Sequence, residues 1–359
     1  MEVHLFEAYA PTGENAASAT TNILFSSGTT GEPKAIPWTH VTPIRSAIDG
    51  LAHHDIRPGD IVCWPTNLGW MMGPWLVYAA LLNSATIALF EGSPLGTEFC
   101  SFVEKAHVTM LGIVPSLARV WYRSGVTDAV DWSRIRCFSS SGEASNPETY
   151  MWLSSCAGYK PIIEYCGGTE IGGGFLAGSV VQPQAASAFS TPTLGSEIVV
   201  IDEMTGEPLG PTLRGLLAGP QEGDGWAGEL AVVPPMLGSS TRLLNRDHYK
   251  TYFAGMPELK EKSAFEPKAT RPPRLLRRHG DEILQLAGGY YRAQGRLDDT
   301  MNLGGIKVSS VELERVCMLE YAQNPLVQAN KGENGAPLVS EVAAVAVTSA
   351  GGGPSALVV

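Results

Sequence analysis

The chain has 359 residues, 44% hydrophobic and 17% charged, enough to bury a sizeable core in roughly two or three domain-sized pieces. A formal net charge of -11, with no Lys/Arg-rich run, leaves no basic face for a nucleic-acid backbone. The six cysteines (Cys63, Cys100, Cys137, Cys156, Cys166, Cys317) form no CxxC pair, which fits buried thiols in a reducing compartment rather than a disulfide framework or a zinc site.

The opening residues MEVHLFEAYA carry two acids and no positive n-region, unlike a secretory signal. Thr21 to Phe25 reads as a short strand ending in the Ser/Gly/Thr-rich loop SSGTTGEPK, closed by Pro33. Asp60 to Trp64 is strand-like, Trp75 to Leu82 helical, Thr86 to Phe90 strand-like, and Val108 to Val114 a strand before a helix from Pro115 to Tyr122. Such alternation predicts a largely parallel sheet covered by helices. The uncharged run Gly69 to Phe90 is long enough to span a bilayer. Asn83 and Ser84 divide it, and no Lys or Arg flanks it, so a buried helix running into a buried strand is the better reading.

From about residue 195 a more β-rich subdomain is expected: Glu197 to Ile201, a turn at Thr205 and Gly206, then Gly228 to Val233 as an antiparallel pair. Pro211 to Trp226 and Pro257 to Pro273 read as surface insertions. Ser309 to Glu312 forms a capping box before a helix, Val342 to Val347 reads as a strand, and the chain stops at Ala356 to Val359 within what reads as another. No internal repeat is evident.

The loop Ser26 to Lys34 combines hydroxyls, two glycines and a lysine, the donors a polyphosphate needs. It is not a Walker A loop, because Gly31 is followed by Glu32-Pro33-Lys34. Further on come YCGGTE at Tyr165 to Glu170, where a Thr hydroxyl and a carboxylate could hold a phosphate and its Mg²⁺, then Gly280-Asp281 and GRLDDTMNLGGIKVSSVELE. His53 and His54 beside Asp55 read as a solvated loop, and no Ser or Cys sits in a nucleophile elbow, which argues against a histidine-based hydrolase.

Taken in order, SSGTTGEPK, YCGGTE, the HGD segment and GRLDDTMNLGGIKVSSVELE resemble the adenylate-forming superfamily of acyl-CoA synthetases, peptide-synthetase adenylation domains and luciferases. The segment VCWPTNLGWMMGPWLVYAALLNSATIALFEGSP is similar to the acetyl-CoA synthetase and plant acyl-activating-enzyme branch.

The resemblance implies an α/β fold of mostly parallel sheets with covering helices, the β-rich subdomain, and a small α+β C-terminal domain after a hinge. Residues 1–297 would be the C-terminal part of the large AMP-binding domain and residues 298–359 the start of the small one. The implied activity is ATP-dependent activation of a carboxylic or fatty acid as an acyl-adenylate, then thioester formation with coenzyme A, using Mg²⁺. Ser26, Ser27, Gly28, Thr29, Thr30, Gly31 and Lys34 inherit the β- and γ-phosphates, and Gly142 and Glu143 the border of the adenine. Thr169 is expected on the α-phosphate, Glu170 on Mg²⁺, Asp281 on the ribose hydroxyls, and Arg296 beside ribose and α-phosphate. Asp298 matches the hinge, and Gly304, Gly305 and Lys307 lie where coenzyme A would approach.

Family members also have a long portion before the phosphate loop and a catalytic lysine near the C-terminus, so the chain reads as a fragment and is expected to adenylate poorly by itself. Trp70, Met71 and Gly167 are candidates for the wall of the acid pocket, although an aromatic and a Met beside an apolar run are more often core. A carrier-protein-loading enzyme and a catalytically silent nucleotide-binding protein stay open as alternatives, and the location expected is intracellular, cytoplasmic or peroxisomal.

Overall fold

The computed structural model describes residues 16–26, 32–202, 204–209, 226–259, 273–296, 300–303, 306–309, 317, 345–347 and 356–358. Strand β1 (Thr20–Ser26) does not feed a helix. It turns back through the Ser/Gly/Thr loop into β2 (Lys34–Thr39), its antiparallel partner. Leu24, Ile36 and Trp38 of this hairpin are buried with Leu243 and Tyr252 from much later in the chain.

Next come α1 (Thr42–Ala52), β3 (Ile61–Cys63), α2 (Met72–Leu81), β4 (Thr86–Ala88), α3 (Thr97–Lys105), β5 (Met110–Ile113), α4 (Pro115–Ser124), β6 (Cys137–Ser141), α5 (Pro147–Cys156), β7 (Ile162–Gly168), β8 (Gly173–Ala177) and β9 (Thr191–Pro192). The strands form one seven-stranded sheet in the order β4-β3-β5-β6-β7-β8-β9, parallel from β4 to β7 and antiparallel from there on. Successive side chains of a strand point to opposite faces. Cys63, Leu111 and Phe138 therefore pack with α3, α4 and α5, while their neighbours Val62, Met110 and Cys137 pack with α2. On the α2 face, Trp64, Trp75, Tyr165 and His54 meet edge to face or tilted, with ring centroids 5.1–5.5 Å apart. Gly112 leaves room for Trp64, whose ring would lie 2.0 Å from any Cβ there.

The uncharged run resolves as expected into α2, a short turn and β4, and no helix among the described residues is long and apolar enough to cross a membrane. The six thiols are free, Cys63, Cys100 and Cys137 buried and the other three half-buried.

A five-stranded antiparallel sheet follows, built from β10 (Ile198–Ile201), β11 (Pro208–Leu209), β12 (Trp226–Val232), β15 (Arg277–Gln285) and β16 (Tyr291–Arg296) in the order β11-β10-β12-β15-β16. The turn at Thr205 and Gly206 joins β10 to β11, and β10 pairs with β12 on its other side. Helix α6 (His248–Tyr252) and the short pair β13 (Glu258–Leu259) and β14 (Arg274–Leu275) lie between β12 and β15 in sequence. One face of this sheet, through Val200, Leu230, Val232 and Ile283, packs on Ile171, Phe175 and Leu176 beside the end of β7. Two hairpins complete the description: β17 (Thr300–Leu303) with β18 (Ile306–Ser309), and β19 (Val345–Val347) with β20 (Ala356–Val358). Most of both insertions and residues 310–312 of the capping box lie outside the described residues.

Two helical side chains tie the parallel sheet to its antiparallel edge. Arg45 and Asp49, both fully buried on α1, form an ion pair with Nε–Oδ1 3.3 Å. Arg45 donates to the carbonyls of Gly174 and Leu194 and to the hydroxyls of Thr193 and Ser196. Asp49 accepts from the Tyr165 hydroxyl at 2.6 Å and the Gly174 N–H at 2.8 Å. Burial pushes the Asp49 carboxyl above its usual range, and Arg45 and these donors oppose it.

Candidate active site

The register of the first hairpin pairs Ser26 directly with Lys34, so the two ends of the phosphate-type loop are held side by side. Ser27, Gly28, Thr29, Thr30 and Gly31 lie outside the described residues. The returning end is anchored from the segment before α6: Asn245 donates to Pro33 O at 2.8 Å and accepts from Ala35 N at 3.0 Å, and Arg246 donates to Glu32 O at 2.6 Å. The same segment leads into α6, whose Tyr252 ring has the Lys34 ammonium 5.2 Å from its centroid.

Thr169 and Glu170 follow the last residue of β7, where the chain turns tightly, Gly168 O accepting from Ile171 N and Gly172 N. Trp38 Nε1, buried in β2, donates to Thr169 O at 2.7 Å, and Ser240 N donates to Glu170 O at 2.8 Å. The hairpin carrying Lys34 is thus bonded to the backbone of the Thr-Glu pair. Thr169 is half-buried and Glu170 only 6% exposed.

Strand β15 brings the third expected residue. Its ladder with β12 slips between Glu229 and Ala231, and Gly280 has φ +85°, a value L side chains rarely adopt. The bulge turns His279 and Asp281 to the same side, Nδ1 to Oδ2 2.9 Å. A Cβ on Gly168 would stand 3.0 Å from His279 Nε2 and 3.2 Å from Glu170 Oε2, so His279 fills the space between the Thr-Glu turn and Asp281. Asp281 is cross-strand to Arg296, the arginine expected at the same ribose.

Arg277, at the start of β15, completes the cluster. It is 3% exposed, its Cζ lies 4.0 Å from the Tyr252 ring centroid, and Glu170 interacts electrostatically with it. Burial and the charge of Arg277 hold His248 below the usual histidine value, and burial together with Glu170 raises the Tyr252 phenol.

Gly142 follows β6 with φ +93°, and the Glu143 carboxylate accepts from Ser116 N at 2.8 Å, at the N-terminus of α4, where a negative charge is favoured. Gly304, Gly305 and Asp298 lie outside the described residues, and Lys307 is known only as the β18 residue opposite Asn302. Of the candidate acid-pocket residues, Trp70 is half-exposed, Met71 packs partly into the core, and Gly167 abuts β8, where a Cβ would be 2.2 Å from Gly173 O.

One expectation is overturned. His53 and His54 are not a solvated loop: they are 5% and 0% exposed. His53 Nδ1 donates to Gly178 O at 3.0 Å while Nε2 accepts from Leu194 N at 3.0 Å, which fixes the neutral tautomer. His54 Nδ1 donates to Asp49 O, and Nε2 lies 2.9 Å from Ser139 Oγ. Burial lowers its pKa to about 3. Both rings pin the C-terminal end of α1 to the sheet.

Sequence reading missed Trp38, Tyr252 and Arg277, and noted His279 only as the neighbour of Asp281 in a histidine-based hydrolase that it set aside. An arginine and a histidine spaced as in RRHGD within a strand point to the same face, a period-two signal that was available. Trp38 and Tyr252 gave no local signal, because their roles depend on partners 131 and 218 residues away, as the Trp38–Thr169 bond and the Lys34–Tyr252 contact show.

The chain as a whole is similar to known proteins. The family described as "AMP-binding enzyme" matches residues 4–231. The chain is 51% identical over 346 residues to "Probable acyl-activating enzyme 17, peroxisomal" of Arabidopsis thaliana and to "Hexanoyl-CoA synthase" of Cannabis sativa, in each case across 96% of this chain and 43% of the relative. Among solved structures, the acetoacetyl-CoA synthetase from Streptomyces lividans superposes with a TM-score of 0.62 at 27% identity, covering 82% of this chain and 42% of that one. The chain thus spans about 43% of the length of the curated relatives it matches. With its α/β architecture and more than half its length inside the family's match, the chain belongs to the AMP-binding enzyme family.

Proposed function

We propose that this chain handles the nucleotide in an acyl-CoA ligase, which activates a carboxylic acid with ATP and Mg²⁺ as an acyl-adenylate and then forms a thioester with coenzyme A. The observation that carries this reading is the convergence of Lys34, Thr169-Glu170 and Asp281 through Trp38, Tyr252, Arg277 and His279.

In this reading Lys34 and the loop from Ser26 to Gly31 neutralise the β- and γ-phosphates. Thr169 donates to the α-phosphate, Asp281 accepts from the ribose hydroxyls, and Arg296 stands beside both. Glu170 would hold Mg²⁺, which would offset negative charge on the phosphates. The acid's carboxylate attacks the α-phosphorus, pyrophosphate leaves, the coenzyme A thiol then attacks the acyl carbon, and AMP leaves. The protein's share is positioning and charge neutralisation.

Gly142 and Glu143 border the adenine, and Gly305 and Lys307 serve the coenzyme A side after rotation about Asp298, the division lying between residues 297 and 298. The names hexanoyl-CoA synthase and acetoacetyl-CoA synthetase support a coenzyme A acceptor over a carrier protein, and a short or medium fatty acid as substrate. The name of the Arabidopsis relative supports a peroxisomal location.

The test is calorimetric binding of ATP and AMP with and without Mg²⁺, followed by pyrophosphate release with acids graded from acetate to decanoate. Asp281→Asn is expected to weaken ATP and AMP alike, and Glu170→Gln to remove the Mg²⁺ dependence of ATP binding. Absence of nucleotide binding, or pyrophosphate release indifferent to the acid, would refute the reading.

A further inference from the structure

Arg277 carries a charge that no described residue answers with a well-formed hydrogen bond. Its guanidinium is buried, yet none of Nε, Nη1 and Nη2 has an acceptor among the described residues. The Tyr252 ring covers one face, and the Tyr252 hydroxyl lies close enough to favour the charged guanidinium, yet the contact falls short of a well-formed hydrogen bond and both groups keep unmet polar atoms. A guanidinium stays protonated in proteins and carries five N–H donors in a rigid fork. Leaving that fork buried without acceptors is among the costlier arrangements a fold can hold.

The surroundings say what would complete it. Lys34, at the returning end of the phosphate-type loop, contacts the same Tyr252 ring, so two cations share one aromatic side chain. Glu170 offsets part of the positive charge at a distance, and a Mg²⁺ ion taken up by Glu170 would cancel that relief. A bidentate oxyanion of high charge matches the fork, whereas a neutral ligand would leave the charge exposed.

We propose that Arg277 is a polyphosphate-binding residue of this site: its guanidinium takes oxygens of the β- and γ-phosphates of bound ATP beside Lys34, and holds the pyrophosphate once it is displaced. This rests on the nucleotide-binding reading above and adds a residue to it. AMP lacks both groups and makes no use of Arg277.

The experiment compares the chain with its Arg277→Met and Arg277→Lys variants by calorimetry, using MgATP, inorganic pyrophosphate and AMP, and by thermal unfolding without ligand. Arg277→Met is expected to weaken MgATP and pyrophosphate about 10- to 100-fold, as for loss of a charge-assisted phosphate contact, and to leave AMP within about twofold. Arg277→Lys keeps the charge without the fork and is expected to fall between. The unliganded melting temperature should hold or rise in Arg277→Met, because an unanswered buried charge has been removed. Equal loss of ATP and AMP affinity, or unchanged ATP affinity with a lowered melting temperature, would make Arg277 a structural residue and overturn the proposal while leaving the nucleotide site standing. If the wild-type chain binds neither nucleotide, the functional reading fails and this proposal fails with it.

Discussion

Glu164 lies on β7, six residues before Glu170, and is buried, only 4% exposed. It lines a cavity of about 20 Å³ with Ser140, Ser145, Tyr150 and Arg119, and accepts from the Ser145 hydroxyl at 2.5 Å. Burial pushes its carboxyl up to about 7 from an ordinary 4.5, the two serine hydroxyls only partly opposing. The folded protein therefore keeps a proton that the unfolded chain gives up. Its contribution is complete below about pH 4.5 and is lost as pH rises through about 7. The gap between the two values corresponds to about 3 kcal/mol of stability. Glu164→Gln replaces the acid by a neutral isostere that does not titrate. The unfolding free energy of the variant minus that of the wild type, from urea titrations at pH 5 and pH 8, should become more positive by about 2–3 kcal/mol at the higher pH. Other titrating groups cancel in the difference. A difference that stays the same at both pH values would refute the argument that burial dominates this carboxyl.

Other outcomes follow from the same contacts. Asp49→Asn leaves Arg45 buried without its counter-ion and should cost about 3–5 kcal/mol in urea unfolding. Trp38→Phe keeps the packing but strands the Thr169 carbonyl, expected to cost about 1–2 kcal/mol and to weaken MgATP binding, read by melting temperature and calorimetry together. His54 is buried neutral with a pKa near 3, so the wild type should lose stability as pH falls from about 6.5 toward 3, and His54→Gln should flatten that slope in the difference between the two proteins. Cys63 and Cys137 have thiols pushed up to about 12 by burial, so neither should react with iodoacetamide at pH 8 until the protein is unfolded, as mass spectrometry of the alkylated chain would show.

The parallel sheet was legible because its signals are local. Short runs such as Val62-Cys63 and Met110-Leu111 are buried on both faces, so they read as strands without knowledge of their partners. The expected site residues Lys34, Glu170 and Asp281 were singled out through motif order, not through any property of the single residues. What stayed hidden was set by distant contacts. The histidines at 53 and 54 looked polar and therefore solvated, and only the carbonyls of Asp49 and Gly178 and the Leu194 N–H explain their burial. Helix α1 escaped notice for a related reason: it carries Arg45 and Asp49 on its buried side, which inverts the usual apolar stripe. Tyr252 and Arg277 meet only because the second sheet folds back over the first hairpin.

The closed mouth of that hairpin has a bearing on engineering. Since Ser26 and Lys34 are paired in the ladder and the returning end is bonded to Asn245 and Arg246, an exchange of the loop between them as a cassette is expected to leave both strands in register. Loops transplanted from other AMP-binding enzymes would then test the proposed triphosphate contacts against the same hairpin, provided that Trp38, and with it the tie to Thr169, is kept.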